Sequence, residues 1–311
     1  MSTGYPHLHP DVRQLADADD ETRIACIRGK RWIEHGAAGA ILRLLQETLE
    51  QPPSERMENV LLIAESGMGK TSLIRRFERR SAVPFDAATG IARRPVVVTL
   101  MPPEPTETEF FMRLLTMLGL PQPAFLARSG PRLRDLASRL LHEIGTRVLV
   151  IDEINSLLVG TARQQRMFLQ LLRFMSNDLG IALVSAGVPE ARHALRSDAQ
   201  LRSRFCDLSL PTWAAGAGLQ DFVNRMVQSL PLRLPSPIVS PAVCKLLVER
   251  SGGITALICR ALERAGVAAV RSGRERIDLA ALQDDMIWRD LAARPRFLPQ
   301  ALPASGLDAP A

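Results

Sequence analysis

The chain has 311 residues, 46% of them hydrophobic, enough for one substantial α/β core and one smaller appended domain. Basic residues outnumber acidic ones by 39 to 33, for a net charge of +6 and a pI near 9.7. That balance suits a polyanionic partner, while an aromatic content of 5% with one Tyr argues against single-strand recognition by base stacking. Cys26, Cys206, Cys244 and Cys259 are scattered without zinc spacing, which reads as reduced thiols in a cytoplasmic protein. No apolar run approaches bilayer length and Met1 to Asp20 lacks a leader pattern, so no membrane association is expected.

In chain order, residues 1 to 20 are rich in Pro, His and Asp and are expected to be extended. Helical periodicity follows over Asp20 to Arg31 and Ala37 to Leu49, with Ile41, Leu44, Leu45 and Leu49 on one stripe, until Pro52-Pro53. Residues 1–55 thus form an N-terminal helical extension. An α/β core runs from about Val60 to Leu210, within a domain of residues 56–212. Strands are predicted at 60 to 64, 95 to 100, 147 to 151 and 181 to 186 with helices between, the alternation of a parallel sheet flanked by helices. Pro211-Thr212-Trp213 and Ala214 to Gly218 read as a linker. Beyond it the strand signal ends, and helices at Leu219 to Leu230, Pro241 to Arg250 and Ala256 to Ser272 predict a small helical lid over residues 213–290. Residues 291–311, rich in Pro and Ala, read as a flexible tail.

Two motifs carry chemistry. Val60-Leu61-Leu62-Ile63 runs into Ala64-Glu65-Ser66-Gly67-Met68-Gly69-Lys70-Thr71 and then a helical segment, the strand, loop and helix order of a P-loop. Backbone amides of Glu65, Ser66, Gly67, Met68, Gly69, Lys70, Thr71 and Ser72 would cradle the phosphates of ATP. Lys70 adds charge there, and the Thr71 hydroxyl ligates Mg²⁺. Ala64 stands where the motif usually has its first glycine. An ordinary glycine turn before a helix is the competing reading. Further on, Val148-Leu149-Val150-Ile151 precedes Asp152-Glu153, a buried parallel strand that brings Asp152 to Mg²⁺ and Glu153 to the attacking water. Acids at a helix N-terminus would look similar.

With these motifs, a further strand ending in Ser185-Ala186-Gly187, a downstream Leu201-Arg202-Ser203-Arg204-Phe205 and a helical lid, the chain resembles an AAA+ ATPase. More narrowly it resembles TniB, related to TnsC and the Mu B protein. The resemblance rests on Arg31-Trp32-Ile33, residues 65–71, Gly160 to Arg166, Asp198 to Phe205, Leu210 to Trp213, Leu230 to Arg233 and Ser251-Gly252-Gly253. It implies an ATP-dependent regulator of DNA transposition that oligomerises on duplex target DNA without sequence preference. Its other partners would be a DDE transposase (TniA-like), which it recruits and activates, and a TniQ-like targeting subunit, with release on ATP hydrolysis. The resemblance also makes Arg204 the candidate arginine finger acting on a neighbouring subunit's γ-phosphate, with Arg202 as substitute; both could equally be solvated surface arginines. Two departures point to slow hydrolysis. The polar sensor expected after the fourth strand falls near Ser185 and an apolar Val188, and Gly252-Gly253 is followed by Ile254-Thr255 rather than an arginine.

Non-specific duplex binding calls for positive charge on an oligomer's inner surface. Arg113, Arg128, Arg132, Arg134 and Arg139 are the candidates before the Asp152 strand, with Arg163 and Arg166 just after it. Any one of them could instead be solvated or paired with Glu107, Glu109 or Asp135. Trp32 could stack on adenine or belong to the core. Helix-turn-helix, RNP-like and zinc-finger patterns are absent, so target choice falls to partners. A protein-directed AAA+ switch without DNA function is the rival reading. A replication initiator or clamp-loader relative is a third, disfavoured by the missing C-terminal DNA domain.

Overall fold

The computed structural model describes residues 4–291 except 53, 55, 56, 86, 89, 91, 121–129 and 197. Arg128 and the tail of residues 292–311 therefore lie outside the described residues. The first helix, α1 (Asp20–Arg28), is capped by Asp19, whose carboxylate accepts the Thr22 amide at 2.9 Å. It ends at Arg28, with Gly29 as C-cap, three residues before the Arg31 that periodicity suggests. Next, α2 (Gly36–Glu50) buries Ile41, Leu42, Leu45 and Leu49. The core elements follow in alternation: β1 (Asn59–Ile63), α3 (Lys70–Arg80), β2 (Val96–Leu100), α4 (Glu107–Met117), α5 (Gly130–Glu143), β3 (Val148–Asp152), α6 (Ala162–Asn177) and β4 (Ala182–Gly187). Two short helices, α7 (Ala191–Arg196) and α8 (Ala199–Arg202), lead into β5 (Phe205–Ser209). The C-terminal helices are α9 (Ala217–Gln228), α10 (Pro241–Ser251), α11 (Thr255–Arg271), α12 (Leu279–Gln283) and α13 (Asp285–Trp288).

All five strands are parallel, in the order β2-β3-β4-β1-β5. Every residue of β1, β3 and β4 is buried, because helices cover both faces. On one face Leu61, Leu149, Ile151 and Leu183 pack with Phe110, Phe111, Leu133, Phe168 and Leu172 of α4, α5 and α6. On the other, Val60, Leu62, Val150 and Val184 pack with α2 and with Leu73, Ile74 and Phe77 of α3. A separate apolar cluster joins α9 to α13. With β4 at the centre, between β3 and β1, the carboxyl ends of these three strands lie side by side, where parallel α/β sheets bind ligands.

The fifth strand was not expected from the sequence. Phe205-Cys206-Asp207-Leu208-Ser209 is an edge strand, only partly buried, so it lacks the continuous apolar run that marks its neighbours. Nor are residues 4–20, the described part of the N-terminal segment, extended throughout. Pro10–Val12 and Gln14–Asp17 form 3₁₀ turns, with Leu8 and Ala16 buried. The polar backbone of this segment finds its partners on the helical domain: the His9 amide donates to the Gln228 carbonyl at 2.8 Å, and Arg233 Nε donates to the Ala16 carbonyl at 3.0 Å.

The same docking continues in α1. Ile27 sits in the apolar cluster of the helical domain. Arg23, fully buried, donates to both carboxylate oxygens of Glu275 and to the Pro231 carbonyl. Burial alone would raise the Glu275 pKa, but hydrogen bonds from Arg23 and the Arg233 amide, with both positive charges, hold it below the ordinary carboxylate value. The pair therefore adds stability that is fully present above the unfolded-state pKa and is lost as pH falls through the folded one. Arg23→Ala leaves the buried carboxylate to Arg233 alone and is expected to cost about 3 kcal/mol. Urea unfolding at neutral pH checks this, and the deficit should shrink in acid as Glu275 protonates.

Candidate functional site

The loop between β1 and α3 is pinned at its start, where the Ala64 amide donates to the Gly187 carbonyl at the end of β4 (3.1 Å). Gly67 (φ 82°) and Gly69 (φ 97°) both lie in the left-handed region, and this lets the chain curl into the helix. No side chain caps α3, so its first-turn amides face the loop cavity with a partial positive charge. Lys70 is 7% exposed, and its Nζ donates to the Ala64 carbonyl at 2.5 Å and the Glu65 carbonyl at 3.1 Å. Burial pushes the Lys70 pKa down, against the opposing pull of Glu153, Asp152 and Glu65. Glu65, Ser66, Thr71 and Ser72 are exposed around the loop, whereas Met68 is buried beneath it.

From β3, Asp152 enters 1% exposed, with Oδ2 accepting the Thr71 hydroxyl at 2.8 Å and Oδ1 accepting the Glu153 amide at 2.9 Å. Adjacent ligands of an octahedral Mg²⁺ at ~2.1 Å lie about 3 Å apart, so the Thr71 and Asp152 oxygens already have the spacing of a ligand pair. The donor set fits the ion: two hard oxygens, with open space at Gly69 for phosphate oxygens. Glu153 is exposed, in a left-handed conformation (φ 58°) that turns the chain sharply away from the strand. Thus Lys70, Thr71, Asp152 and Glu153 meet at the carboxyl ends of β1 and β3.

The helical domain touches this loop directly. The Ala256 amide, in the first turn of α11, donates to the Gly67 carbonyl at 2.9 Å, and a Cβ on Gly67 would meet Ile254 Cγ2 at 3.0 Å. Trp213 holds the same turn: its Nε1 donates to Thr255 Oγ1 at 2.9 Å and its amide to the Gly253 carbonyl at 2.9 Å. Its ring stacks on Phe222 and tilts against His35, each at 4.8 Å. The sequence reading treated Trp213 as linker, and the latch is visible only once the domains are folded together. Trp32 is half-buried against the Met68 layer and lines a cavity of about 770 Å³ with Arg31, Arg76 and Asp221, which no loop residue lines.

Arg204 precedes β5 at the opposite, amino end of the sheet, where its carbonyl accepts the Asn59 amide at 2.8 Å. A five-residue strand spans roughly 16 Å, so neither Arg202 nor Arg204 belongs to its own chain's phosphate site. Arg204 is half-buried and donates to Asn177, while Arg202 is exposed. Arg113 lies on α4, and Arg132, Arg134 and Arg139 on α5. Of these, Arg134 is tied down, paired with Glu107 at 3.4 Å and set over the Phe174 ring at 5.1 Å. Arg132 and Arg139 are exposed, as are Arg163 and Arg166 on α6. Among the described residues, no helix is long and apolar enough to cross a membrane.

A family profile described as "Bacterial TniB protein" matches residues 23–215. No curated protein matches the chain in sequence. Among solved structures it is similar to the Aeropyrum pernix ORC2 protein, described as ADPNP-ADP complexes, at 16% identity and TM-score 0.56, covering 86% of this chain and 72% of that one. The A. pernix ORC1 protein in complex with DNA matches at 21% identity and TM-score 0.55, over 83% and 67% of the two chains. Drosophila ORC bound to DNA matches at 11% identity and TM-score 0.54, over 90% and 67%. These likenesses bear out the AAA+ type of fold read from the sequence.

Proposed function

The chain belongs to the TniB family, and on that premise we propose that it is an ATP- and Mg²⁺-dependent DNA-binding regulator of transposition. It assembles as a cytoplasmic homo-oligomer on duplex DNA of any sequence, recruits and activates a DDE transposase (TniA-like), works with a TniQ-like targeting subunit, and leaves DNA on hydrolysis. The observation that carries the nucleotide half is the 2.8 Å Thr71–Asp152 pair beside buried Lys70 and an uncapped helix start. Thr71 and Asp152 hold the metal, Lys70 and the loop amides bind the phosphates, and Glu153 takes the proton of the attacking water. Arg204 or the more exposed Arg202, at the far end of the sheet, serves the neighbouring subunit's site.

The DNA half draws support from family membership, from the net charge of +6, and from the DNA in two of the similar structures. Arg113, Arg132 and Arg139 supply phosphate contacts. Arg134, already paired with Glu107, contributes less, and Arg163 and Arg166 extend the basic surface across α6. Anisotropy of a labelled random-sequence duplex should rise only with ATP or a non-hydrolysable analogue. Its log affinity should fall with log salt by about 0.9 per phosphate neutralised. A protein-directed switch is the second reading, favoured by exposed Val159 (81%) and Met167 (55%) beside those arginines. Indifference to DNA in every nucleotide state would establish it instead.

A further inference from the structure

Asn155 lies two positions past Glu153, in the 3₁₀ turn Ile154–Val159 that leaves the carboxyl end of β3. Its Oδ1 is buried and accepts no hydrogen bond. An orphaned buried polar atom costs roughly 1–3 kcal/mol and is rare in a folded core, so it needs a reason. Its place is specific: a Cβ built on Gly187 would come 3.3 Å from Asn155 Oδ1. Gly187 is the last residue of β4, and its carbonyl receives the Ala64 amide that opens the phosphate loop. Asn155 therefore occupies the junction of β3, β4 and the loop, with β4 between its own strand and the β1 that leads to Lys70. The absence of a side chain at Gly187 leaves room for it, since a methyl there would already meet Ile154 Cγ2 at 2.8 Å and Ala191 Cβ at 3.1 Å.

The same corner is otherwise poor in free polar groups. Asp152 spends its oxygens on Thr71 and the Glu153 amide. Val188, following β4, is apolar, and the Ser185 hydroxyl is sealed inside the sheet without a partner. A carboxamide is neutral and carries two donor hydrogens, so it can approach a terminal phosphoryl group without repulsion, as a carboxylate cannot. Building on the nucleotide-binding reading above, we propose that Asn155 is the side chain that distinguishes triphosphate from diphosphate, by donating its amide N–H to a γ-phosphoryl oxygen. The orphaned oxygen marks a carboxamide that the fold itself does not fix.

The test compares Asn155→Ala with wild type in equilibrium binding of fluorescent ADP and of a fluorescent non-hydrolysable ATP analogue. Loss of one hydrogen bond to a charged group should weaken the analogue about tenfold or more while leaving ADP unchanged. Asn155→Asp keeps the shape and serves if the alanine variant is unstable; its negative charge should weaken the analogue further, again sparing ADP. An unaltered ratio of the two affinities, whether both stay the same or both fall together, would overturn the proposal. Lys70→Ala, measured alongside, separates the two levels. If wild type binds neither nucleotide, the parent reading fails. If wild type binds and Lys70→Ala does not, an unaltered Asn155→Ala ratio sinks this inference alone.

Discussion

Glu153→Gln should bind ATP with near wild-type affinity, hydrolyse it about 10²–10⁴-fold more slowly, and stay on DNA for as long as ATP is present. The size of the effect follows from how the acidic pair is divided. Asp152 is 1% exposed with both oxygens engaged, by the Thr71 hydroxyl and the Glu153 amide, which on the proposed reading reserves it for the metal. Glu153 is exposed at the strand end and is the only other carboxylate that β3 delivers there. The amide of glutamine fills the same volume without accepting the proton. The substitution is also conservative for the backbone. Glu153 sits at φ 58°, where any side chain other than Gly pays a similar strain, so glutamine changes the chemistry while keeping the turn. Single-turnover hydrolysis and DNA dissociation after dilution into excess ATP are the two measurements. Rapid DNA release by the variant in ATP would break the link between hydrolysis and disassembly.

What the sequence made legible divides along physical lines. The turn at residues 64–72 could be read because its geometry follows local rules: glycines where φ is positive, a lysine at the helix start, an apolar strand before it. Central strands β1, β3 and β4 could be read because burial on both faces demands unbroken apolar runs. β5 escaped because its residues are only partly buried, whereas β2, at the other edge but covered, keeps an apolar run. The 3₁₀ turns near the N-terminus escaped because their hydrogen-bond partners, Gln228, Leu232 and Arg233, are more than 200 positions away. Long-range pairing also decides what periodicity cannot. Arg134 carries the same charge as Arg132 and Arg139, yet it alone of the three meets Glu107 and Phe174. Arg204 and Arg202, alike in sequence, differ because only one finds Asn177.

The latch at Trp213 gives the two domains one shared hinge on the phosphate loop. Gly253 (φ 73°) has Trp213 so close that a Cβ would come 2.4 Å from the Trp213 carbonyl oxygen, and the next turn hydrogen-bonds Gly67. Lid position and loop shape are therefore coupled through backbone contacts, with no arginine between them. A change at Gly67 would meet α11 first, through the Ala256 amide, and α11 in turn packs on α1.

Lys70→Met tests the other half of the site, and its signature is a separation of stability from binding. Lys70 is a buried ammonium whose pKa burial lowers, so folding is opposed by its desolvation at neutral pH. The sign is definite: a lysine whose folded pKa lies below its unfolded value of 10.5 makes stability rise with pH between the two. Methionine has similar length and no charge, so the variant's unfolding temperature without nucleotide should not fall, and the rise with pH in that window should flatten. Nucleotide binding should behave oppositely. Two or more charge-assisted hydrogen bonds to phosphate vanish, for a loss of about a hundredfold in affinity. At ATP a hundredfold above the wild-type Kd, ligand-linked stabilisation should drop from about 2.7 kcal/mol to about 0.4 kcal/mol. Thermal unfolding with and without Mg-ATP reads both effects in one experiment. DNA-linked assembly should disappear with the binding, because the coupled loop and lid then have no phosphate to respond to. A variant that keeps the full ATP-induced shift would mean that the ammonium held by the Ala64 and Glu65 carbonyls is a structural cation and has no part in phosphate binding.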